Sequence, residues 1–504
     1  MNMRIVVASS EVMPFSKTGG LADVAASLPK ALAQLGHDVS VITPFYPQEF
    51  ARRAPRDVEL EATGCSVEVP IADRRVTGRI LRSRIPGSSA SVYLVEQPDY
   101  YDRPGLYQER DRDYRDNAER FIFFSRAVLE TARVLQLQPD ILHANDWQTG
   151  LVPALLRIEA SQLPEFARTA SVYTIHNLAF QGQFWHWDML LTGLDWKYFN
   201  WRQMEFFGNL NLMKTGVVFA DAITTVSPTY AREIQTPEFG CGLNGVLTSR
   251  RDDLTGILNG VDMEIWNPAT DPFLPERYRS STVAQGKPVC KAHLQQRLGL
   301  PVRLDVPLYA MISRLTSQKG VDLVCACAED FSRLDVQAVF LGSGEPGFEQ
   351  QLRALAVAVP QKISVTIGYD EVLSHQIEAG ADVFLMPSRY EPCGLNQMYS
   401  LIYGTVPIVR AVGGLADSVV DATEKTLSNG TANGFSFHEY SSAALFRQIC
   451  RAYGLYHDQQ TWRQLMRTGM ERDWSWHRSA AEYVNVYQRA QLKRLHAMEA
   501  GRAG

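Results

Sequence analysis

The sequence predicts an α/β protein built from two doubly wound units. Apolar, β-branched runs of strand length alternate with amphipathic helical patterns, and this alternation occurs twice along the 504 residues. The string Gly-Gly-Leu-Ala-Asp stands at 19–23 and again at 413–417, each time between a strand-like run and a helical pattern. A chain of this length that is 45% hydrophobic can bury two or three full cores. We therefore expect an open parallel sheet in each half.

The first series of predicted elements extends from the N-terminus to about Asn259. A helix is expected over 21–35, directly after the first strand. Strands are predicted at 3–8, 39–42, 92–95, 141–143, 171–175 and 222–226. We assign this series to an N-terminal Rossmann-like domain over 1–262.

The second series forms the other half of the chain. Strands are predicted at 308–312, 338–341, 363–367, 383–386 and 407–410. The segment 266–301 is rich in proline and polar residues, which favours an interdomain connection. We assign this connection and the second series to a C-terminal domain over 263–476. The last part, 477–504, is predicted as a helix that returns to the N-terminal domain, with an apolar stripe for packing.

Composition excludes several classes of protein. A net charge of −5 and short basic groupings argue against a nucleic-acid partner. The seven cysteines are scattered without zinc-ligand spacing, which favours reduced thiols and a cytoplasmic location. No run approaches the roughly 20 apolar residues of a membrane span, and the N-terminus lacks the apolar region of a signal peptide. We therefore expect neither a nucleic acid nor a membrane as partner.

The first glycine pair predicts an anion site. Gly19 and Gly20 open a predicted helix, where backbone N–H groups and the helix dipole favour a negative ligand, and Lys17 lies two residues before them. Arg410 lies three residues before the second pair. A cation beside a helix N-terminus suggests phosphate or carboxylate. The alternative is a tight connection between strand and helix with no ligand.

A stronger constellation lies in the second half. Arg314 and Lys319 follow a predicted strand five residues apart, which suits a diphosphate. Further on, Gly394 and Leu395 offer N–H groups to an anion, and Glu391 can accept hydrogen bonds from sugar hydroxyls. Taken singly, the two cations could be surface ion-pair residues, but the set favours a ligand site.

Two weaker patterns suggest other chemistry. The run 342–347 satisfies the Gly-x-Gly-x-x-Gly fingerprint of dinucleotide binding, but it does not follow the first strand of its unit and no acidic residue ends the next strand. It supports a nicotinamide-dependent oxidoreductase only weakly. Asp111-Arg112-Asp113 matches the Asp-x-Asp metal motif of a different glycosyltransferase fold, and we interpret it as a solvated loop.

The sequence as a whole resembles a known family, the bacterial glycogen synthases and plant starch synthases. The match is in order and covers almost the whole chain. Its motifs are Lys-Thr-Gly-Gly-Leu-Ala-Asp-Val at 17–24, His-Ala-Asn-Asp-Trp at 143–147, Thr-Ile-His-Asn at 174–177, Ile-Leu-Asn-Gly-Val-Asp at 257–262, Trp-Asn-Pro at 266–268 and Glu-Pro-Cys-Gly-Leu at 391–395.

The resemblance implies a GT-B fold, in which two Rossmann-like domains face a deep interdomain cleft. It also implies retaining transfer of glucose from a nucleotide sugar, usually ADP-glucose, to the non-reducing end of an α-1,4-glucan such as glycogen or a maltooligosaccharide. Neither a cofactor nor a metal is implied. The alternatives are a transferase with another nucleotide sugar or acceptor, and a non-catalytic glucan-binding relative. The sequence leaves the oligomeric state open.

The resemblance also implies roles for individual residues. Arg314 and Lys319 would hold the diphosphate, and His176 would contact the transferring glucose. The implied catalytic residues are Lys17, Asp146, His176, Arg314, Lys319 and Glu391. The implied donor-binding residues are Lys17, Gly19, Gly20, Asn259, Arg314, Lys319, Tyr369, Glu391, Cys393, Gly394 and Leu395. The implied acceptor-binding residues are Asp23, Tyr101, Asp146 and Asn177.

Two positions test how far the resemblance extends. Asn396 stands where many bacterial members have threonine, which alters a hydroxyl contact near the phosphates. Tyr399 stands eight residues after Glu391, where many other retaining GT-B enzymes have a second glutamate. A tyrosine there is usual in the synthases and supports the narrower assignment.

Overall fold

The chain folds into two compact units. The structure, a computed structural model, describes residues 2–55, 58–110 and 112–503, with side chains as far as residue 499. The N-terminal unit comprises Met1–Gly260 and Trp476–Gly504, and the C-terminal unit comprises Val261–Ser475. Each unit has its own sheet and its own buried core.

The N-terminal unit is built on a large mixed sheet. Its strands are β1 (Arg4–Ala8), β2 (Asp38–Pro44), β3 (Glu61–Ile71), β4 (Arg74–Arg84), β5 (Ser91–Glu96), β6 (Gln108–Glu109), β7 (Arg112–Asp113), β8 (Ile141–Asn145), β9 (Ala170–Ile175), β10 (Gln183–Phe184), β11 (Glu205–Phe206), β12 (Asn209–Asn211), β13 (Ala222–Thr225) and β14 (Leu254–Gly256). Among the described residues, nine strands form one sheet in the order β14-β13-β9-β8-β1-β2-β5-β4-β3.

Seven neighbouring strands of this sheet, from β14 to β5, are parallel. Six of them were predicted from the sequence, and β14 was not. The antiparallel hairpin β3–β4 at one edge was not predicted. Its strands alternate buried and exposed residues, and the exposed positions carry charges such as Glu68 and Arg75. One face is therefore covered and the other meets solvent, whereas a central parallel strand is apolar on both faces.

Helices cover the parallel part of the sheet. Those of the first 260 residues are α1 (Gly20–Gln34), α2 (Pro47–Arg53), α3 (Pro98–Tyr101), α4 (Asn117–Val134), α5 (Val152–Ile158), α6 (Leu212–Phe219), α7 (Pro228–Glu233) and α8 (Asn244–Ser249). Helix α1 begins at the first glycine pair and buries Val24, Leu28 and Leu32 against the core. Its apolar residues recur at helical spacing, which fixes the face that packs.

The C-terminal unit has a parallel sheet of six strands among the described residues, in the order β17-β16-β15-β18-β19-β20. The strands are β15 (Leu308–Ile312), β16 (Gln337–Gly342), β17 (Ile363–Ile367), β18 (Val383–Met386), β19 (Val406–Arg410) and β20 (Phe435–Phe437). The helices are α9 (Val283–Arg297), α10 (Val321–Ala326), α11 (Ala328–Arg333), α12 (Pro346–Ala358), α13 (Glu371–Gly380), α14 (Asn396–Ile402), α15 (Gly413–Ser418), α16 (Glu424–Ser428), α17 (Ser442–Tyr456) and α18 (Gln459–Glu471).

The segment 266–301 is more than the connection that its composition suggests. It contains α9, whose Leu294 belongs to the apolar core of the C-terminal unit. Two lysines of this helix, Lys287 and Lys291, are buried. Their ammonium groups bind backbone carbonyls, and Lys291 also pairs with Asp382. Buried lysines make the helix look polar in sequence although it packs like a core helix.

The last helix, α19 (Trp476–Ala503), belongs to the N-terminal unit. Tyr483 and Tyr487 are buried in that unit's core, and the Tyr487 hydroxyl lies 2.9 Å from Nδ1 of His143. Within the described part of the chain, no helix is long and apolar enough to cross a membrane.

Candidate active site

The first glycine pair lies at an exposed loop that a buried carboxylate holds. Glu11 accepts hydrogen bonds from the backbone N–H groups of Thr18 and Gly19, the latter at 3.2 Å. Its other oxygen accepts the hydroxyls of Thr18 at 2.6 Å and of Tyr107 at 2.7 Å. The loop therefore does bind an anion, but the anion in this structure is the protein's own carboxylate. Glu11 is not among the site residues predicted from the sequence.

Lys17 and Asp23, predicted on the donor and acceptor sides, pair with each other. Nζ of Lys17 lies 2.7 Å from Oδ1 of Asp23, and both side chains are 30% exposed. The pair spans the first turn of α1, and its partial exposure keeps both groups within reach of a ligand.

Asp146 follows β8 with a strained backbone. Its φ of 54° and ψ of −179° are uncommon for a residue with a Cβ, and such strain tends to occur at functional sites. The carboxylate accepts the backbone N–H of His176 at 2.7 Å. Burial raises the pKa of Asp146 to about 7, although the backbone hydrogen bonds from His176 and Asn177 act to lower it.

His176 is held in one orientation by Asn145. The Asn145 amide nitrogen donates to the Ala8 carbonyl at 3.1 Å, so its oxygen faces Nε2 of His176 at 2.9 Å. Burial lowers the pKa of His176 to about 3, which makes the ring neutral at pH 7. Nε2 thus carries the proton, and Nδ1 is an acceptor. The neighbouring Asn177 uses its side-chain oxygen to accept the N–H of Ala179 at 3.1 Å.

Two further predicted residues of the N-terminal unit, Asn259 and Tyr101, differ in whether a ligand can contact them. Asn259 is 6% exposed, and its side-chain oxygen is buried with no hydrogen-bond partner among the described residues. Such an oxygen is an acceptor that a ligand can satisfy. Tyr101 is fully buried in α3, and its hydroxyl donates to the Arg120 carbonyl at 3.0 Å. The structure argues against direct acceptor binding by Tyr101, because the ring presents no surface to a ligand.

In the C-terminal unit, Arg314 follows β15 on an exposed loop. Its guanidinium donates to Gln318 at 3.2 Å, and the residue is exposed. The loop is supported from behind by Gly342, where a Cβ would lie 1.9 Å from the Ser313 carbonyl oxygen. This close approach explains the first glycine of the 342–347 run. Asn396 donates to the carbonyl of Ile312 at 2.8 Å and ties α14 to the same strand end.

Lys319 and Glu391 form the most buried ion pair among the predicted site residues. Nζ of Lys319 lies 2.6 Å from Oε2 of Glu391, with side-chain exposures of 20% and 7%. The Ser388 hydroxyl donates to the same oxygen at 3.0 Å. Lys319 is thus an ion-pair residue, but its partner is a member of the predicted site and not a distant surface carboxylate.

The second glycine pair packs against the loop that carries Glu391. A Cβ on Gly413 would lie 1.9 Å from the Glu391 carbonyl oxygen, and one on Gly414 would lie 2.2 Å from that of Cys393. The Gly414 N–H donates to the Pro392 carbonyl at 3.1 Å. These glycines therefore position a loop by close backbone contact. The helix they open, α15, ends at Ser418.

The rest of the same loop lies at the start of α14. Gly394 has a φ of 70°, a left-handed conformation that favours glycine, and Leu395 is the residue directly before the helix. Cys393 is buried. Tyr369 lies in the loop after β17 with 71% of its side chain exposed, and its hydroxyl donates to Glu371. An exposed ring there is available to a planar ligand.

The Trp-Asn-Pro motif has a packing role. The Trp266 ring stacks between His375 and Tyr399, with centroid distances of 3.9 Å on both sides and interplanar angles of 9° and 5°. Tyr399, which replaces the second glutamate of other enzymes, is therefore one face of an aromatic sandwich.

Among the described residues, no group of three or more His, Cys, Asp or Glu could hold a metal ion. Asp111 of the Asp-x-Asp motif lies outside the described residues. A cavity of about 450 Å³ in the C-terminal unit is lined in part by Lys287 and Lys291 and by none of the predicted site residues.

Comparisons with known proteins agree with the motifs. Residues 4–249 match the model of the starch synthase catalytic domain, and residues 296–464 match that of glycosyl transferases group 1. A glycogen synthase of Anaeromyxobacter dehalogenans strain 2CP-C is 49% identical over 96% of this chain and 99% of its own length. The glycogen synthase 1 of Methylococcus capsulatus is 46% identical over 99% of this chain and 98% of its own.

The chain belongs to the glycogen synthase and starch synthase family. The solved catalytic domain of starch synthase IV from Arabidopsis thaliana, bound to ADP and acarbose, superposes with a TM-score of 0.89 at 33% identity and covers 97% of this chain and 100% of that one. A sucrose-phosphate synthase from Thermosynechococcus elongatus, 18% identical with a TM-score of 0.56, shares the fold over 96% of this chain and 98% of its own.

Membership confirms the predicted GT-B fold and the predicted activity as a retaining ADP-glucose-dependent hexosyltransferase of the glycogen synthase type. Its substrates are a nucleotide sugar and a glucan. No support is left for the nicotinamide-dependent oxidoreductase.

Proposed function

We propose that this chain binds ADP-glucose through Arg314, Lys319 and Glu391 and extends an α-1,4-glucan, such as glycogen, without a metal. The ion pair of Lys319 with Glu391 is the observation that carries this proposal. It places a cation and a buried carboxylate beyond the carboxyl ends of parallel strands, where doubly wound sheets bind their ligands. The donor nucleotide is inferred from the relatives, one of which was solved with ADP.

Lys319 and Arg314 supply the positive charge that the leaving diphosphate needs. A lysine ammonium has three N–H donors, so Lys319 can keep Glu391 while it binds a phosphate oxygen. Arg314 is exposed, and among the described residues its guanidinium donates to Gln318 alone, so its planar fork can turn to a second phosphate. Fixed cations at developing negative charge stabilise the transition state without reorganisation, which is the role a metal has elsewhere.

Glu391 acts as a sugar-binding group in this proposal. Both of its hydrogen bonds reach Oε2, and Oε1 has no described partner, so Oε1 can accept a glucose hydroxyl. Gly394, Leu395 and Cys393 extend the same loop toward the phosphates. Tyr369 offers its exposed ring to the adenine.

In the N-terminal unit, we assign His176 and Asn259 to the transferring glucose. Nδ1 of the neutral His176 and the partnerless oxygen of Asn259 are both acceptors for sugar hydroxyls. Lys17 with Gly19 and Gly20 binds on the donor side, while Asp146, Asp23 and Asn177 serve the acceptor.

We propose front-face retention, in which the leaving diphosphate assists deprotonation of the acceptor hydroxyl. In this proposal neither oxygen of Glu391 is left for attack, because Oε2 is bound to Lys319 and Ser388 and Oε1 accepts a glucose hydroxyl. A double displacement needs a free carboxylate against the anomeric carbon. Isolation of a covalent glucosyl-enzyme on any side chain would contradict this mechanism.

A panel of labelled donors tests the activity. ADP-, UDP- and GDP-glucose are each offered with glycogen and with maltooligosaccharides, and incorporation of label is measured. We expect the highest kcat/KM with ADP-glucose. Preference for another nucleotide, or no transfer to either glucan, would overturn the assignment of the substrates.

We also propose a cytoplasmic location. All seven cysteines are free thiols in the described structure, and several are buried, including Cys290, Cys327 and Cys393. Free thiols are typical of a reducing compartment.

A further inference from the structure

The C-terminal unit contains a cavity of about 450 Å³ that residues of α9 and α18 line, and we call it the α9–α18 cavity. Cavities of this volume are large enough for a small molecule. Apolar side chains form part of its wall: Val283, Pro288, Leu304, Trp462 and Met466. None of the residues that line the cavity has a role in the proposed reaction. The unit therefore has room for a second ligand.

The cavity lies at the opposite edge of the parallel sheet from the proposed phosphate site. Its lining residue Asp382 directly precedes β18, whereas Glu391 follows the carboxyl end of that strand. Leu304 likewise precedes β15, and Arg314 follows it. Strands of this length span more than about 10 Å, so a molecule in the cavity does not touch the donor site.

The two carboxylates that line the cavity are already neutralised. Asp382 pairs with Lys291 at 2.7 Å, and both side chains are buried. Asp305 pairs with Arg303 at 2.6 Å. Neither carboxylate therefore balances the remaining charge of the lining residues, which is positive.

Lys287 and Arg463 supply this positive charge. Lys287 is 4% exposed and has no ion pair among the described residues, and burial lowers its pKa to about 8. Its ammonium group is still mostly charged at pH 7. Arg463 is exposed on α18 and forms neither an ion pair nor a hydrogen bond with any residue that the structure describes. A buried cation and an available guanidinium in one cavity favour an anionic ligand.

Lys287 also joins the cavity to two helices of the proposed donor site. Its Nζ donates to the carbonyl of Ala379 at 3.0 Å, in the last turn of α13, and to that of Tyr403 at 3.2 Å, directly after α14. The other ends of these helices begin just after Tyr369 and Leu395, which we assign to the donor. A negative charge in the cavity stabilises the ammonium form of Lys287, which holds both helix ends through its hydrogen bonds.

We propose that the α9–α18 cavity is an effector site for a small organic anion with an apolar body, and that its occupation tightens donor binding. The apolar wall suits the body of such a molecule, and Arg463 can donate two parallel hydrogen bonds to a carboxylate or a phosphate. A neutral sugar would leave the positive charge unbalanced. Binding of the anion does not depend on the proposed function, whereas its effect on the donor rests on it.

Ligand-observed NMR titrations test the site, with excess ADP present to occupy the donor site. The probes are benzoate and phenyl phosphate, which differ in their anionic group, and benzyl alcohol is the uncharged control. Wild-type protein should bind at least one of the anions saturably. It should bind the alcohol about tenfold more weakly, because the alcohol gains no hydrogen bond between charged groups. No saturable binding of either anion, or equal binding of the alcohol, would overturn the site.

Three variants locate the bound anion, and thermal unfolding checks that each is folded. Arg463→Ala should raise its Kd about tenfold, and Ala284→Phe, which adds a ring at a lining position of α9, should abolish binding. The matched control is Arg467→Ala, which removes an exposed arginine of α18 that does not line the cavity. It should bind like the wild type. Equal affinity of Arg463→Ala and the wild type, or an equal loss in Arg467→Ala, would overturn the location.

Calorimetric titration of ADP measures the effect on the donor. An anion concentration that saturates the wild type should lower its Kd for ADP about fivefold, and that of Arg463→Ala by much less. Equal ADP affinity with and without the anion would overturn the effector role. Weaker ADP binding, equal in both proteins, would show competition at the donor site and overturn it as well. If the wild type binds the anion but not ADP, the proposed donor fails and the cavity site stands.

Discussion

The two Gly-Gly-Leu-Ala-Asp strings have the same residues but opposite surroundings. A Cβ on Gly19 would meet no atom of the described structure within 4 Å, whereas one on Gly413 would overlap the Glu391 carbonyl. Side chains hold the first loop, chiefly the Glu11 carboxylate. Backbone contact holds the second. The first glycine pair therefore lies in an exposed loop that binds an anion. The second pair lets the backbone pack closely against the loop that carries Glu391.

The two loops are therefore held in two different ways. The partners of the N-terminal loop can be exchanged, because groups of a ligand can take the place of the side-chain carboxylate and ammonium groups that contact it. The C-terminal loops are fixed by close packing at Gly342 and Gly413, and their exchangeable element is the ion pair of Lys319 with Glu391. The following predictions test this division, beginning with the largest expected effect.

Lys319→Ala should have the largest effect on turnover, because it removes the cation from the ion pair with Glu391 in the C-terminal unit. Loss of the ammonium removes one of the two cations proposed for the diphosphate, so we expect turnover to fall by about 10²–10³-fold. Arg314→Ala should act in the same direction. Steady-state kinetics measures both, with the exposed Lys425→Ala as the control for loss of a charge. Near-normal turnover in either variant would remove that residue from the phosphate site.

Gly413→Ala tests the packed glycine pair. The added Cβ would overlap Glu391 at a φ of 44°, so we expect the free energy of unfolding to fall by about 2–3 kcal/mol and activity to fall with it. Gly19→Ala is the matched control, with an expected cost below about 1 kcal/mol because space is free there. Urea titration measures both. Equal losses at the two positions would show that the two strings do not differ as described.

Glu11→Gln tests the side chain that holds the first loop. An amide offers one acceptor oxygen where the carboxylate offers two, so the N–H groups of the loop lose a charged partner at a cost of about 1.5–3 kcal/mol. We expect activity to fall about tenfold while ADP binding changes little. Calorimetry and kinetics measure the two effects, and Glu68→Gln on the exposed hairpin is the control. An unchanged rate would mean that Glu11 does not support the site.

Asp146→Asn should have an effect on stability that depends on pH. The pKa of Asp146 is raised to about 7, so the folded protein keeps a proton that the unfolded chain releases near the ordinary value of 3.8. The stability gained from that proton is present at low pH and is lost as pH rises through about 7. Relative to the variant, wild-type protein should therefore lose unfolding free energy between about pH 4 and about pH 7. A constant difference would contradict the raised pKa.

The sequence predicted the parallel strands well because a buried parallel strand is apolar on both faces. It missed the hairpin β3–β4, whose exposed face is charged, and it treated α9 as a connection because two of its buried positions are lysines. Both errors have one cause: polar residues dominate the local pattern, while their burial or partners depend on the rest of the fold.

The candidate site was predicted in its motifs but not in its contacts. The family resemblance identified Lys319 and Glu391 as site residues. It did not predict the ion pair between them, because they lie 72 positions apart in the sequence. Glu11 was missed because a lone glutamate after a strand carries no signal in one sequence. Tyr101 was selected by its position in the family, and its burial appears only in three dimensions.

Transfer of labelled glucose from ADP-glucose to glycogen in excess metal chelator tests the central claim most directly. Wild-type protein should transfer at the same rate with and without chelator, and Lys319→Ala should transfer at about 10²-fold or more below it. Loss of wild-type transfer in chelator, or full activity of the variant, would contradict a site in which this chain's own cations replace a metal.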